Sequence, residues 1–282
     1  MIDIELRRRL FAEEITAVAN LRTRALSDAL AVVPREDFLP PGPWLVQSEA
    51  SGPRQTPDAD PAHVYHDYSV TIDPARQLFN GTPTFVTGLI DALRLQPGSA
   101  VLHVGAGLGY YTALLGHTVG ASGHVRGIEV DPDLAARAAQ NLRARAWVRI
   151  ECGNATTPLD RRFDAILVNA GVTHPLDVWL DALEEGGRLM LPLTAAIPAM
   201  GPLSKGVVVM LTKAAAGAFD ARVLTFTVIY TGIGLRDDTL NEPLGRAFMR
   251  MPFPRLKRLR RDAHEPAPEC WLHGERFCFS MN

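Results

Sequence analysis

The stretch VLHVGAGLGYYTALLG, residues 101–116, decides the fold. A short apolar strand runs into Gly-Ala-Gly-Leu-Gly, and the run behind it is apolar and helix-compatible. Strand, glycine turn and helix in that order open an α/β sheet whose ligand sits at the carboxyl ends of the strands. Outward from this unit the alternation is regular. A helix over 83–95 and a PGS turn precede the strand at 100–104. A helix follows over 109–119, then a strand over 124–130. DPDLAARAAQNLRAR is a helix with Asp131 as cap and Pro132 in its first turn. Strands over 147–152 and 163–170, a helix over 175–184, a Gly186-Gly187 turn and the strand RLMLPL complete the series. Short apolar strands alternating with helices predict a parallel sheet covered on both faces.

The flanks read differently. Residues 4–31 are helical, with Leu6, Leu10, Ile15, Val18 and Leu21 near helical spacing. The prolines of AVVPREDFLPPGPW stop any helix. Residues 47–62 are polar and rich in turn formers, which predicts an exposed loop. Beyond residue 200, KGVVVMLTK and ARVLTFTVIY predict an antiparallel pair. A helix over 237–250, a basic stretch and the β-like CWLHGERFCFS end the chain. The expected organisation is N-terminal helices and a Pro-rich loop over 1–66, a ligand-binding domain over 67–235, and an extension over 236–282.

The bulk numbers exclude several classes. The 282 residues are 47% hydrophobic and 21% charged, with a net charge of −2 and a pI near 6.4. That balance gives no general attraction to nucleic acid or an anionic membrane. No apolar run can span a bilayer, and the N-terminus has no signal-peptide core, so a cytoplasmic location is expected. Cys152, Cys270 and Cys278 cannot all pair and read as packed thiols.

Three strand ends suggest the ligand. Gly105, Gly107 and Gly109 give G-x-G-x-G, with Tyr110 where a dinucleotide binder has its last glycine. Glu129 ends the second strand, and an acceptor-only carboxylate there can take both hydrogens of a ribose diol. Gly153-Asn154-Ala155 ends the third, where an amide oxygen can accept from an adenine amino group. A close-approach turn, a ribose holder and an adenine reader suit a nucleoside without a pyrophosphate, such as S-adenosylmethionine.

These motifs, with FDAILVNAG and LEEGGRLMLPL, resemble those of class I methyltransferases. VPREDFLP, then Tyr65 and Asp67 in VYHDY, are similar to the protein-L-isoaspartate O-methyltransferase family, over roughly residues 5–195. The resemblance implies a Rossmann-like α/β fold: a seven-stranded, mostly parallel sheet with one antiparallel strand near its end and helices on both faces. It implies S-adenosyl-L-methionine as cofactor, an O-methyl transfer, and a carboxylate acceptor such as an isoaspartyl or aspartyl residue. The cofactor-binding candidates are His103, Gly105, Ala106, Gly107, Gly109, Glu129, Val130, Asn154, Ala155 and Asn169.

The chain departs from the family pattern in three places. The family's Thr-Ile-Ser-like turn, which helps close over cofactor and substrate, falls at QLFNGTP (77–83), where Asn80 and Thr82 are the polar side chains. His103 stands where the family has an acid. A tail follows about residue 235. These departures leave a small-molecule or peptide-tailoring acceptor as one alternative and an inactive cofactor-binding module as another. Candidates to face the acceptor are Tyr65, Asp67, Asn80, Thr82, Asn169 and His174. The partner is a protein, peptide or small-molecule carboxylate. RMPFPRLKRLRR (250–261) is the feature that raises RNA as a rival, and nucleic acid is not the expected partner. Cys270, His273 and Cys278 lie close in sequence but read as packed or solvent-facing, so no metal is expected.

Overall fold

A computed structural model describes residues 3–48, 51–250 and 255–282. In chain order the elements are α1 (Ile4–Val18), α2 (Arg24–Val32), β1 (Leu45–Ser48), β2 (Ser51–Gln55), β3 (Ser69–Asp73), β4 (Leu78–Phe79) and α3 (Pro83–Ala92). Then come β5 (Ala100–Val104), α4 (Tyr110–Val119), β6 (His124–Glu129), α5 (Pro132–Leu142), β7 (Val148–Cys152), β8 (Phe163–Val168) and α6 (Asp177–Asp181). The chain ends with β9 (Leu183–Ala196), β10 (Leu203–Lys213), β11 (Phe219–Tyr230), α7 (Asn241–Phe248), β12 (Arg258–Arg260), β13 (Cys270–His273) and β14 (Cys278–Ser280). Two compact units are formed, Met1–Ser99 with Ala106–Gly153, and Ala100–Gly105 with Asn154–Asn282.

In the first unit, α1 opens on Asp3, whose carboxylate accepts from the Glu5 N–H. Its Phe11 and Ile15 are buried, as are Leu26 and Leu30 of α2, which packs on α4. The polar segment predicted as a loop instead contributes strands. Ser51–Gln55 pairs antiparallel with Leu45–Ser48, in a small sheet of order β2-β1-β3-β4. Buried Thr56 closes that hairpin by accepting from the Trp44 N–H at 2.9 Å. Residues 49 and 50 of the expected loop lie outside the described residues. The parallel pair β6–β7 is joined by α5, as the alternation predicts. Asp131 caps α5 through the N–H groups of Asp133 and Leu134, and Pro132 occupies its first turn. The pair runs in register from Val125↔Val148 to Glu129↔Cys152, so Glu129 and Gly153 end side by side. The Gly153 N–H donates to the Glu129 carbonyl at 2.8 Å.

In the second unit, β5 pairs parallel with β8, and β8 parallel with β9. β10 runs antiparallel to both β9 and β11, which bears out the pair expected beyond residue 200. β9 covers 14 residues rather than the six of RLMLPL, and α6 only five. The helix stops early because Leu183 already pairs with Phe163 of β8. β12, β14 and β13 extend this sheet beyond β11, all antiparallel. The basic stretch enters β12 with Leu259 buried. Arg260 pairs with Asp262, and Arg261 with Asp177 and Asp181. Two of its cations are therefore neutralised within the protein, and residues 251–254 lie outside the described residues. Among the described residues no helix is long and apolar enough to cross a membrane.

Candidate functional site

The three turn glycines have three different reasons to be glycine, although all have positive φ. At Gly105 a Cβ would lie 3.0 Å from the Asn169 carbonyl oxygen, so one strand end crosses tightly over another. At Gly109 it would lie 2.9 Å from Leu142 Cδ1, so this glycine lets α4 pack on α5. At Gly107, φ is +56° and a Cβ would meet nothing within 4 Å. Packing does not require a glycine at 107; only the left-handed backbone favours one. Ala106 is buried between them, its N–H donating to the Ile128 carbonyl at 3.1 Å.

Glu129 is 7% exposed, and its carboxylate is clasped by backbone. Oε2 accepts from the Gly107 N–H at 2.7 Å, and Oε1 from the Asp131 N–H at 3.1 Å. The half-buried Val130 lies between these anchors. The expected ribose holder thus also fixes the tip of the glycine turn. Asp131 in turn accepts from Arg76, which precedes the 77–83 segment. The N–H of Leu134 and then Arg76 hold the Asp131 carboxyl below its usual range.

In the second unit, Asn154 is more constrained than its expected role as adenine reader requires. Its Oδ1 accepts from the Thr156 hydroxyl at 2.7 Å, an Asx-type local turn. A Cβ on Gly234 would lie 2.7 Å from its Nδ2, so the 234 backbone passes against the amide. Ala155 is buried at φ +56°, a left-handed conformation rare for a residue with a Cβ. Buried Trp179 anchors it, donating from Nε1 to the Ala155 carbonyl at 2.9 Å. Asn169 is half-buried after β8, its N–H donating to the Val104 carbonyl at 2.8 Å. His174 is half-buried, bonded through Nδ1 to the Thr173 hydroxyl at 3.0 Å and stacked on Phe277.

His103 on β5 is fully enclosed and presents no surface to a ligand. The expectation of direct cofactor contact is therefore corrected to support within β5. Burial pushes its pKa down to about 4, so the imidazole is neutral at pH 7. The unfolded chain takes up a proton near pH 6.5, whereas the folded one does so only near 4. The stabilisation from His103 is complete above about 6.5 and is lost as the pH falls toward 4, amounting to about 3 kcal/mol. Denaturant midpoints measured between pH 7 and 4 should show this slope, and His103→Gln should flatten it. An unchanged slope in the variant would assign the acid sensitivity to other groups.

Two acceptor-side candidates of the first unit, Tyr65 and Asn80, meet at a residue that sequence reading missed. Arg35 of VPREDFLP is completely buried. Its guanidinium donates to the carbonyls of Val64 (2.7 Å), His66 (3.1 Å) and Tyr68 (2.5 Å) and reaches Asn80 Oδ1 at 3.5 Å. Tyr65 is also buried. Its hydroxyl accepts from Arg8 Nε at 2.9 Å and the Arg35 N–H at 3.1 Å, and donates to Glu36. This corrects its assignment as acceptor-facing: Tyr65 ties α1 to the 35–36 corner. Asp67 accepts from the Thr84 N–H (2.9 Å) and hydroxyl (2.6 Å), so it fastens the first turn of α3. Thr82 occupies the N-cap position of α3 without a capping bond from its side chain.

Asn80 is different. Its Oδ1 accepts from the Val70 N–H at 2.8 Å as well as from Arg35, which fixes which end of the amide is oxygen. Its Nδ2 is buried without a hydrogen-bond partner among the described residues. The following Gly81, at φ +81°, accepts from the Tyr111 hydroxyl at 3.0 Å. QLFNGTP is thus an ordered strand and turn that leaves one amide donor unmet.

The fold is shared with solved methyltransferases. A protein-L-isoaspartate O-methyltransferase structure superposes with TM-score 0.63 at 21% identity, over 84% of this chain and 69% of that one. A Plasmodium falciparum protein assigned to the same activity, solved with S-adenosyl-L-homocysteine, gives 0.59 at 19% over 80% and 98%. These neighbours define the class: a Rossmann-like methyltransferase fold, here with added C-terminal strands. The family model for protein-L-isoaspartate(D-aspartate) O-methyltransferase matches residues 7–200, and the chain belongs to that family. A Methylorubrum populi protein-L-isoaspartate O-methyltransferase is 31% identical over 221 residues, covering 76% of this chain and 91% of the relative. One from Methylorubrum extorquens is 30% identical over 239 residues, covering 83% and 92%.

Proposed function

We propose that the chain transfers the methyl group of S-adenosyl-L-methionine to a carboxylate oxygen, that of an isoaspartyl or aspartyl residue in a cytoplasmic protein or peptide. The observation that carries this reading is the Glu129 carboxylate clasped to Gly107 N at the tip of the glycine turn. The residues present fit the cofactor. Gly107 leaves its side-chain volume open, and Glu129, with two oxygens and several lone pairs, can accept ribose hydroxyls while holding the turn. Gly105, Ala106, Gly109, Val130, Asn154, Ala155 and Asn169 complete the proposed cofactor set, with His103 as support.

Methyl transfer from a sulfonium is an in-line displacement. The donor is already activated, so the protein mainly aligns oxygen, methyl and sulfur. A carboxylate acceptor is ionised at neutral pH and needs no general base. Asn80 takes the place of the missing turn hydroxyls in this reading. Its unmet Nδ2–H is a donor to the acceptor's second carboxylate oxygen or to its backbone, and Arg35 fixes its orientation.

Glu129→Ala should weaken S-adenosyl-L-methionine binding by about 1–3 kcal/mol, through lost hydrogen bonds to a charged acceptor and a freed turn tip. Titration calorimetry checks this, and unchanged affinity would take Glu129 out of the site. The activity test is incubation with labelled cofactor and an isoaspartyl peptide beside its aspartyl twin. Base-labile label on the isoaspartyl peptide alone supports a repair-type site. Cofactor binding without transfer to either peptide would reject this acceptor class.

A further inference from the structure

Four side chains of the C-terminal extension come together in a group that methyl transfer does not use. His264, Cys270, His273 and Cys278 each offer one donor atom, and those atoms all lie within 4.8 Å of one another. In sequence, Cys270, His273 and Cys278 read as packed or solvent-facing residues; the fold adds His264 from the loop between β12 and β13. The strand register supplies three of the four: Cys278 lies opposite His273 of β13 and Arg260 of β12, and Cys270 starts β13 opposite Ser280, with a register shift between Cys270 and Leu272.

The surroundings suit metal ligation. His264 Nδ1 lies 2.9 Å from the Asp262 carbonyl oxygen. A carbonyl only accepts, so Nδ1 carries the proton and the Nε2 lone pair points at the group, 3.6 Å from Cys270 Sγ. The Ala267 N–H donates to Cys270 Sγ at 3.3 Å, a contact that stabilises a thiolate. Both thiols are buried and unbridged. His273 Nδ1 is buried with no hydrogen-bond partner among the described residues. Zinc–sulfur bonds near 2.3 Å and zinc–nitrogen bonds near 2.1 Å put tetrahedral ligand atoms about 3.4–3.8 Å apart. The 3.6 Å separation already falls in that range.

We propose that His264, Cys270, His273 and Cys278 form a closed tetrahedral zinc site that staples the C-terminal extension. Two soft thiolates with two imidazoles select zinc over the oxygen-preferring magnesium and calcium. With four protein ligands no coordination position stays open for substrate, so the role is structural. Binding converts Zn²⁺ and two thiols into a neutral bis-thiolate centre and releases two protons. The staple fixes the strands that present Trp271, whose Nε1 donates to the Ala247 carbonyl at 3.0 Å, and it thereby holds α7.

The test is metal analysis of the full chain, expressed with zinc and purified without chelator. About one zinc per chain is expected, with loss of most of it in Cys278→Ser and in His264→Ala. A strong chelator should lower the thermal midpoint, and zinc should restore it. Cobalt added to the chelator-treated wild type should give the ligand-field bands of a tetrahedral thiolate site, a readout that does not depend on the variants folding. No metal after zinc-replete expression, with no cobalt spectrum from reduced protein, overturns the proposal. Zinc retained undiminished in folded Cys278→Ser overturns it equally.

Discussion

Gly107→Val is expected to abolish S-adenosyl-L-methionine binding while the protein stays folded. The substitution puts two methyl groups into volume that no protein atom occupies within 4 Å of the Cβ position, so the core is not disturbed. The cost to folding is the left-handed backbone at φ +56°, about 1–2 kcal/mol. Gly105→Ala is the control with the opposite outcome. Its Cβ meets the Asn169 carbonyl oxygen at 3.0 Å, also at positive φ, so stability should fall first. Calorimetric titration beside thermal melting separates the two. A folded Gly107→Val that binds the cofactor normally would refute the placement of the ligand against this turn.

The second large effect is on stability. Arg35→Met keeps the length and much of the apolar volume of the side chain but strips the carbonyls of Val64, His66 and Tyr68 of their shared donor. The His66 carbonyl keeps the Tyr68 N–H at 2.8 Å, but those of Val64 and Tyr68 are left poorly satisfied around a fully buried position, a loss of about 3–5 kcal/mol. Arg35→Lys should recover only part of it, because an ammonium cannot match the planar fork that spans these carbonyls and Asn80. The guanidinium also lies 5.9 Å from the ring centroids of Phe11 and Tyr110, contacts that lysine reproduces poorly. Urea midpoints decide the matter: an Arg35→Met protein within about 1 kcal/mol of the wild type would show that the hub is dispensable.

The parallel core was legible because its signals are local. The glycine turn, the Asp131-Pro132 start and the apolar strands each declare themselves within a few residues, and α3, α4, α5 and β5 to β8 fall close to where the pattern puts them. Contacts distant in sequence were not legible. Arg35 reads as an ordinary charge in a proline-rich corner until the 64–68 carbonyls fold around it, and the arginine within VPRE was the one available hint. Tyr65 looked acceptor-facing because its partners Arg8 and Glu36 are far along the chain. The β1–β2 hairpin was hidden by its own composition, since Ser, Gly and Pro signal turns while the pairing comes from a neighbouring strand. The identity of Glu129 was legible, but its bond to Gly107 was not, because the side chain reaches back across the turn.

Asp131 gives the first unit a thermodynamic property as well as a cap. Its backbone N–H steadies the Glu129 carboxylate, while its own carboxylate holds Arg76 at the foot of the hairpin that carries Asn80. If the glycine turn faces the cofactor and Asn80 the acceptor, as proposed, the two sides share Asp131, and order imposed on one reaches the other through it. Linkage makes such coupling reciprocal: whatever factor the bound cofactor adds to acceptor affinity, the acceptor adds to cofactor affinity. Arg76→Ala should reduce both factors equally, as measured by each ligand's affinity with and without the other, and added salt should do the same because the ion pair is partly exposed. The two substrates would then bind as independent events.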